Sequence, residues 1–183
     1  MFNLSTQEVV LSIEKTSVIE EKQFVYQHYH NFFGNLQELE LDIGNLNFDS
    51  LENQENYFRK RLSYKEKLSK QLHIFFMNSK ITNALAKKFN TNLRFVSVDI
   101  WQDELGYYLE PHTDDSRIKL ALQIYLGNDN NVGTSLFDKD DKILKTFEYK
   151  FNSGYALLNN EVSRHGPTKV TNGLRKSIYV RYQ

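Results

Sequence analysis

His112 and Asp114 lie in the stretch GYYLEPHTDD, His165 lies in SRHGP, and Arg175 follows His165 by ten residues. Two imidazoles and one carboxylate are the ligand set that holds ferrous iron on one face while leaving the other positions open to a co-substrate and O2. A guanidinium downstream can give a carboxylate two parallel charge-assisted hydrogen bonds, a geometry lysine does not match. A bare His-x-Asp is a weak signal, because a chain with five His and ten Asp supplies it readily by chance. The ordered set, with a later His and an Arg at a fixed distance beyond it, carries the reading. The chain's two prolines, Pro111 and Pro167, sit beside these candidate ligands.

Composition bounds what such a site can belong to. A length of 183 residues suits one domain, 1–183, with a single sizeable core. Twenty-three basic and twenty-three acidic residues cancel, so no whole-molecule field draws the chain to nucleic acid or an anionic membrane. With no cysteine there is no disulfide framework, thiolate metal site or cysteine nucleophile, and a reducing compartment fits. The N-terminus has no basic region followed by an apolar one, and no apolar run is long enough to span a bilayer. The expectation is a soluble, cytoplasmic protein whose partners are small molecules, peptides or proteins.

The elements that must position the ligands divide the chain in two. From Ser17 to about Leu36, and from about Leu51 to Phe89, apolar residues recur at three- and four-residue intervals among Lys, Glu and Gln, which predicts amphipathic helices. Phe75, Phe76, Ile81, Leu85 and Phe89 form the expected core face, with Asn78 or Ser79 a cap or break. From Arg94 onward short β-rich runs appear: RFVSVDIWQ, KLALQIYLG, GTSLFD, KTFEYKF, GYALLN and LRKSIYVRY, separated by GNDNNVG, DKDDK and similar turn-formers. The fold class expected is α+β, with 1–92 mainly helical support and 93–183 the β-core that carries the site.

Alternation within the strands says which faces matter. Leu120, Leu122, Ile124 and Leu126 share one face, and Ala121, Gln123 and Tyr125 the other. In the last strand Leu174, Ile178, Val180 and Tyr182 oppose Arg175, Ser177, Tyr179 and Arg181. A generic antiparallel sheet would turn its polar faces to water. If the apolar faces pack on the helices of a barrel-like sandwich instead, the polar faces line a cavity, where Tyr125, Ser177 and Arg175 can converge on a carboxylate.

GYYLEPHTDD, LQIYLGN, GTSLF and NSGYALLNNEVSRHGP leading to GLRKSIYVRYQ together resemble the core of the iron(II)- and 2-oxoglutarate-dependent dioxygenases, in their prolyl-hydroxylase-like branch. The resemblance covers Asp99 to Gln183. It implies a double-stranded β-helix, or jelly roll, with supporting N-terminal helices. It also implies that His112, Asp114 and His165 bind Fe(2+), and that Arg175 pairs with the distal carboxylate of 2-oxoglutarate. By the same resemblance Tyr125 hydrogen-bonds that carboxylate, and Ser177 is the hydroxyl of an Arg-x-Ser pair. The implied activity is hydroxylation of an unactivated C–H bond of an amino acid, peptide or protein residue, proline among the targets, with O2 consumed and succinate and CO2 released. A carboxylate at Asp114, where Gly or Ala would leave room for a halide, favours hydroxylation over halogenation. The sequence departs from the family in placing Leu109 three residues before His112, where prolyl hydroxylases often have a tyrosine; Tyr108 is four before.

Two other functions compete with this one. A non-catalytic metal-binding β-helix module would use the same ligands. A nucleic-acid demethylase of the same superfamily would use the segment from Arg59 to Lys88, with nine Lys or Arg against one Glu, although a solvated helix face explains that charge more simply. His28 and His30, read as helical, and His73 are expected outside the site. Asp138, Asp140 and Asp141 in DKDDK are expected to form a hairpin turn, since the Gly and terminal Glu of a calcium loop are missing.

Overall fold

A computed structural model describes residues 4–34, 46–50, 58–127, 131–167 and 169–183. The first element is a helix, α1 (Thr6–Lys15), to which the sequence patterns assigned no structure. Val9 and Ile13 are its buried pair, one turn apart, and the Ser5 side chain caps it by accepting from the Glu8 N–H. The helix expected from Ser17 onward is instead a hairpin of β1 (Val18–Glu21) and β2 (Phe24–Tyr29). Its polar run Glu20–Gln23 reads as one turn of a helix face, but Glu20 and Glu21 end β1 and Lys22 and Gln23 make a tight turn, with Lys22 at φ 55°. The true period is two. Phe24 and Tyr26 bury in one cluster, while Gln27 turns the other way to hold the Ile13 and Thr16 carbonyls at the end of α1. His28 and His30 therefore sit on or beside a strand, not on a helix.

The second expected helical stretch is also divided. Residues 51–57 of it, like the end of the first stretch from residue 35, lie outside the described residues. After β3 (Phe48–Ser50) comes β4 (Arg59–Leu62), so the first arginines of the basic segment belong to a sheet. Two helices follow, α2 (Lys67–Phe76) and α3 (Ser79–Lys88). Asn78 separates them as expected, its side chain accepting from the Lys80 N–H as the cap of α3. Phe76, Ile81, Leu85 and Phe89 are buried and Phe75 packs partly buried beside them.

The β-runs read from the sequence are all strands: β5 (Phe95–Asp103), β6 (Leu120–Tyr125), β7 (Val132–Phe137), β8 (Ile143–Glu148), β9 (Gly154–Leu158) and β11 (Arg175–Tyr182), with the short β10 (His165–Pro167) in addition. They form an eight-stranded sheet in the order β1-β2-β9-β6-β11-β5-β4-β3 and a three-stranded sheet β10-β7-β8, with every pairing antiparallel. The N-terminal half thus contributes both flanks of the large sheet besides its helices. DKDDK is the β7–β8 turn, closed by Asp138 Oδ1, which accepts from the Asp140 and Lys142 N–H groups.

Two apolar layers sandwich the large sheet. On one face Leu122, Ile124, Ile178 and Val180 pack in a single cluster with Val9, Leu72, Phe76 and Ile81 of the helices. On the other face Tyr125, Tyr155 and Leu157 pack against Leu136 and Phe147 of the small sheet. Ile178 and Val180 join the helix-side core as their alternation requires, whereas Leu174 precedes β11 and is exposed. The odd residues of β11, from Arg175 to Arg181, face the space between the sheets. Ile178 is fully buried at the centre of this arrangement, so Ile178→Ala should lower unfolding stability by about 2–5 kcal/mol. Urea denaturation checks this, with a loss within about 0.5 kcal/mol of zero contradicting the packing described.

Candidate metal and co-substrate site

His165 begins β10, and its backbone exchanges both hydrogen bonds with His112: His112 N–H donates to the His165 carbonyl at 3.0 Å and His165 N–H to the His112 carbonyl at 2.7 Å. This single bridge ties the His112 loop to the small sheet and sets the ring centroids 5.0 Å apart. Asp114, two residues on, turns the same way, and one ligand atom from each of the three residues lies within 4.8 Å of the others. The second nitrogen of each ring is also fixed. Nδ1 of His112 is 2.9 Å from the Glu110 carbonyl and Nδ1 of His165 is 3.0 Å from the Ser163 carbonyl. A carbonyl can only accept, so each Nδ1 carries the proton and each Nε2 keeps its lone pair for a metal. Burial lowers the His165 pKa against the pull of Asp114, which keeps that imidazole neutral and fit to ligate. Asp114 receives the Tyr179 hydroxyl from β11 at 2.9 Å to each carboxylate oxygen. Burial, then the Asp114 charge, raises the Tyr179 pKa well above the ordinary value, so the phenol stays a donor.

These residues line a cavity of about 210 Å³ between the sheets, which Arg175 enters from β11. Arg175 is only 1% exposed, and its Nη2 lies 3.1 Å from Oδ2 of Asp103, its partner across the β11–β5 ladder. Asp103, 0% exposed, is held from the other side by Arg59, with Nε to Oδ1 at 2.6 Å and Nη2 to Oδ2 at 3.1 Å. Arg59 in turn lies over the rings of Tyr107 and Trp101, 4.3 and 4.8 Å from their centroids. Nε and Nη1 of Arg175 are buried and have no hydrogen-bond partner. A buried guanidinium with two idle nitrogens beside a three-donor cluster fits an anionic co-substrate carboxylate, and the donor set fits iron(II).

Tyr125 and Ser177 are close by but engaged elsewhere. The Tyr125 hydroxyl accepts the Thr134 N–H at 2.7 Å, and Gly133 permits this approach because a Cβ there would run into the Phe147 carbonyl and the Tyr125 hydroxyl. Ser177 accepts from Gln123 Nε2 at 2.9 Å. Gln123 also accepts from the Thr134 hydroxyl at 2.9 Å and from Tyr155 at 2.8 Å, and these last three residues line the cavity where Tyr125 and Ser177 do not. Tyr179, Gln123, Asp103 and Arg59 are additions to the candidate site. Tyr179 shared a face with Arg175 and Gln123 was the polar residue in an apolar strand, so both had a signal. The partnership of Asp103 with two arginines depends on ladder register, which local patterns do not fix. Of the remaining histidines, His28 and His30 meet in a tilted ring contact at 4.6 Å and His73 packs against Phe95, outside this cavity. Tyr107 is buried beneath Arg59, Tyr108 is exposed, and Leu109 lines the cavity mouth.

The fold is the double-stranded β-helix of the 2-oxoglutarate oxygenases, with the His-Asp-His cluster lining its cavity. Solved structures that share it include an oxidoreductase of the 2OG-Fe(II) oxygenase family from Burkholderia pseudomallei, at TM-score 0.66 and 12% identity over 100% of this chain and 91% of that one. A prolyl hydroxylase from Trichoplax adhaerens, solved with a peptide fragment of the hypoxia inducible factor oxygen degradation domain, matches at TM-score 0.62 and 14% identity, covering 97% and 88%. A prolyl-4-hydroxylase from Pseudomonas putida matches at 0.58 and 11%, covering 98% of each chain. No protein-family model matches the sequence, and no curated protein is similar to it in sequence. Among the described residues no helix is long and apolar enough to cross a membrane.

Because Tyr179 fixes both oxygens of Asp114, Tyr179→Phe should weaken metal binding by about 10–100-fold while leaving the fold intact. Titration with Fe(II) under anaerobic conditions, beside a thermal melt, checks this; unchanged affinity would remove Tyr179 from the site.

Proposed function

We propose that the protein is an iron(II)- and 2-oxoglutarate-dependent hydroxylase. The observation that carries this reading is the pairing, in one cavity, of three convergent metal donors with a buried guanidinium whose Nε and Nη1 have no partner. His112, Asp114 and His165 would hold the metal, and Arg175 the distal carboxylate of 2-oxoglutarate. Bound there, metal and co-substrate supply the oxidising chemistry: O2 and 2-oxoglutarate are consumed, a substrate C–H becomes C–OH, and succinate and CO2 leave.

The chain's own residues position and shield. The Glu110 and Ser163 carbonyls hold the two imidazoles in the ligating tautomer, and Tyr179 orients the carboxylate. Asp103 aims Arg175 without filling its remaining donors. Gln123, Thr134 and Tyr155 form a mutually hydrogen-bonded wall with no free polar competitor for the guanidinium. Tyr125 keeps a phenolic proton, since burial raises its pKa, and that proton is the means by which it would assist the same carboxylate. Ser177 acts one step back, through Gln123. The substrate is an amino acid, peptide or protein residue, a reading supported by the fold shared with prolyl hydroxylases, one of them solved with a peptide.

Purified protein with Fe(II), 2-oxoglutarate and O2 should form succinate, slowly in the absence of prime substrate, and His112→Ala should abolish it. Succinate formation at the normal rate by that variant would overturn the assignment. Arg175→Gln should raise the 2-oxoglutarate requirement at least about thirtyfold, the effect of losing about 2 kcal/mol from a buried charged hydrogen-bond partner. Its Fe(II) affinity should stay within about threefold, since Arg175 is not a ligand; a parallel collapse of metal binding would mean the variant had lost structure instead.

A further inference from the structure

Beside the Arg175–Asp103–Arg59 group, the cavity wall carries a second arginine cluster. Along β11, β5 and β4 the side chains facing the cavity alternate in charge: Asp103 lies between Arg175 and Arg59, and Asp99 between Arg181 and Arg61. In the second cluster Arg181 donates from Nε to Ser97 at 2.9 Å and from Nη2 to Asp99 at 2.8 Å, which fixes its plane and uses two of its five N–H donors. Asp99 is itself buried and also accepts from Tyr64 at 2.8 Å, while Arg61 lies 3.9 Å from it and stacks on the Tyr64 ring at 4.4 Å. Each cluster has two guanidiniums and one carboxylate, so each retains one positive charge. The first is buried and is accounted for by the distal carboxylate. The second is at the mouth, where the Arg181 side chain is 38% exposed yet lines the cavity.

We propose that the Arg181 cluster is the substrate's anchor and that the substrate carries a carboxylate close to the carbon that is hydroxylated; this rests on the hydroxylase reading above. Position supports it. Arg181 and Tyr179 are two residues apart on one face of β11, about 7 Å by strand rise, and Tyr179 touches the metal ligand Asp114. A group held by Arg181 therefore has its neighbouring carbons within reach of the metal. Arg175, six residues away along the same face, is about 20 Å distant by strand rise. Size supports it too. The cavity of about 210 Å³ is below the usual few hundred Å3 of a ligand pocket, so beside an oxo-diacid it admits a small moiety. Trp101, between the two clusters on β5, and Leu109 across the mouth provide apolar surface for the body of that moiety. One unbalanced charge matches a monoanion, which is a carboxylate rather than a phosphate.

The test is calorimetric binding to protein loaded with Zn(II) and 2-oxoglutarate, so that no turnover occurs. The probes are the free and the N-acetylated protein amino acids, each paired with its carboxamide. At least one acid should bind about tenfold or more tightly than its amide, and Arg181→Gln should reduce that preference to less than about threefold, as expected for removal of one partner of a charge pair at a partly open site. Arg181→Lys keeps the charge and should keep most of the preference. A panel in which no acid outbinds its amide overturns the proposal, as does a preference that survives Arg181→Gln or is lost in a folded Arg181→Lys. If 2-oxoglutarate fails to bind in the first place, the hydroxylase reading falls and this inference with it; if it binds normally, only the anchor is at issue.

Discussion

A carboxylate with no solvent exposure is the constraint around which the site is organised. A carboxylate buried as Asp103 is needs partners, because moving a lone charge out of water costs several kcal/mol even after the surroundings relax. Two guanidiniums from two different strands supply them, and the three strands β4, β5 and β11 are thereby locked in register at the closed end of the cavity. The pair also has a chemical consequence. One carboxylate cannot occupy the donors of two guanidiniums, and Arg175, inside the cavity, keeps two buried nitrogens idle. Arg59 makes a bidentate contact with Asp103 and lies over the rings of Tyr107 and Trp101. The buried pair turns a structural requirement into a pre-aimed candidate anion site.

The three candidate metal donors are organised by a different device, a bridge between the two sheets. His165 belongs to the small sheet, His112 is carried to it by one reciprocal pair of backbone hydrogen bonds, and Asp114 is pinned to the large sheet through Tyr179. Each ligand is thus referred to a ladder and not to its own loop. The loop supplies donors while the sheets supply geometry, which is how residues far apart in sequence can meet to within a few ångströms without a long rigid connector.

Much of this was legible in the chain and the exceptions have physical causes. The meeting of His112, Asp114 and His165 was legible because the expected chemistry demands particular side chains in a particular order, and the strands from Phe95 onward because their alternation is strong. The hairpin at Val18–Tyr29 was misread as helix because its buried residues fall on both faces, Phe24 and Tyr26 toward one sheet and Gln27 and Tyr29 toward the helices, which blurs a period of two into something near four. Arg59 and Arg61 were taken for helix surface because a run of cations looks solvated until its partners, 38 to 44 residues later in sequence, are known. Register across β4, β5 and β11 decides those partnerships, and register is a property of the assembled sheet.

The polar face of β11 shows why a burial pattern alone could not separate a wet surface from a site. Ser177, Gln123, Thr134 and Tyr155 satisfy one another, so folding by itself accounts for them. Arg175 is different: its two idle nitrogens each forgo a hydrogen bond worth about 1–3 kcal/mol when left buried and unmade. Tyr182 and Gln71 also hold buried polar atoms without partners, but neither lines the cavity. A chain selected for stability alone would gain by replacing Arg175 with an apolar residue and leaving Asp103 to Arg59. Keeping the arginine makes sense only if something outside the polypeptide completes its bonding, and a carboxylate entering beside three metal donors is the simplest group that does.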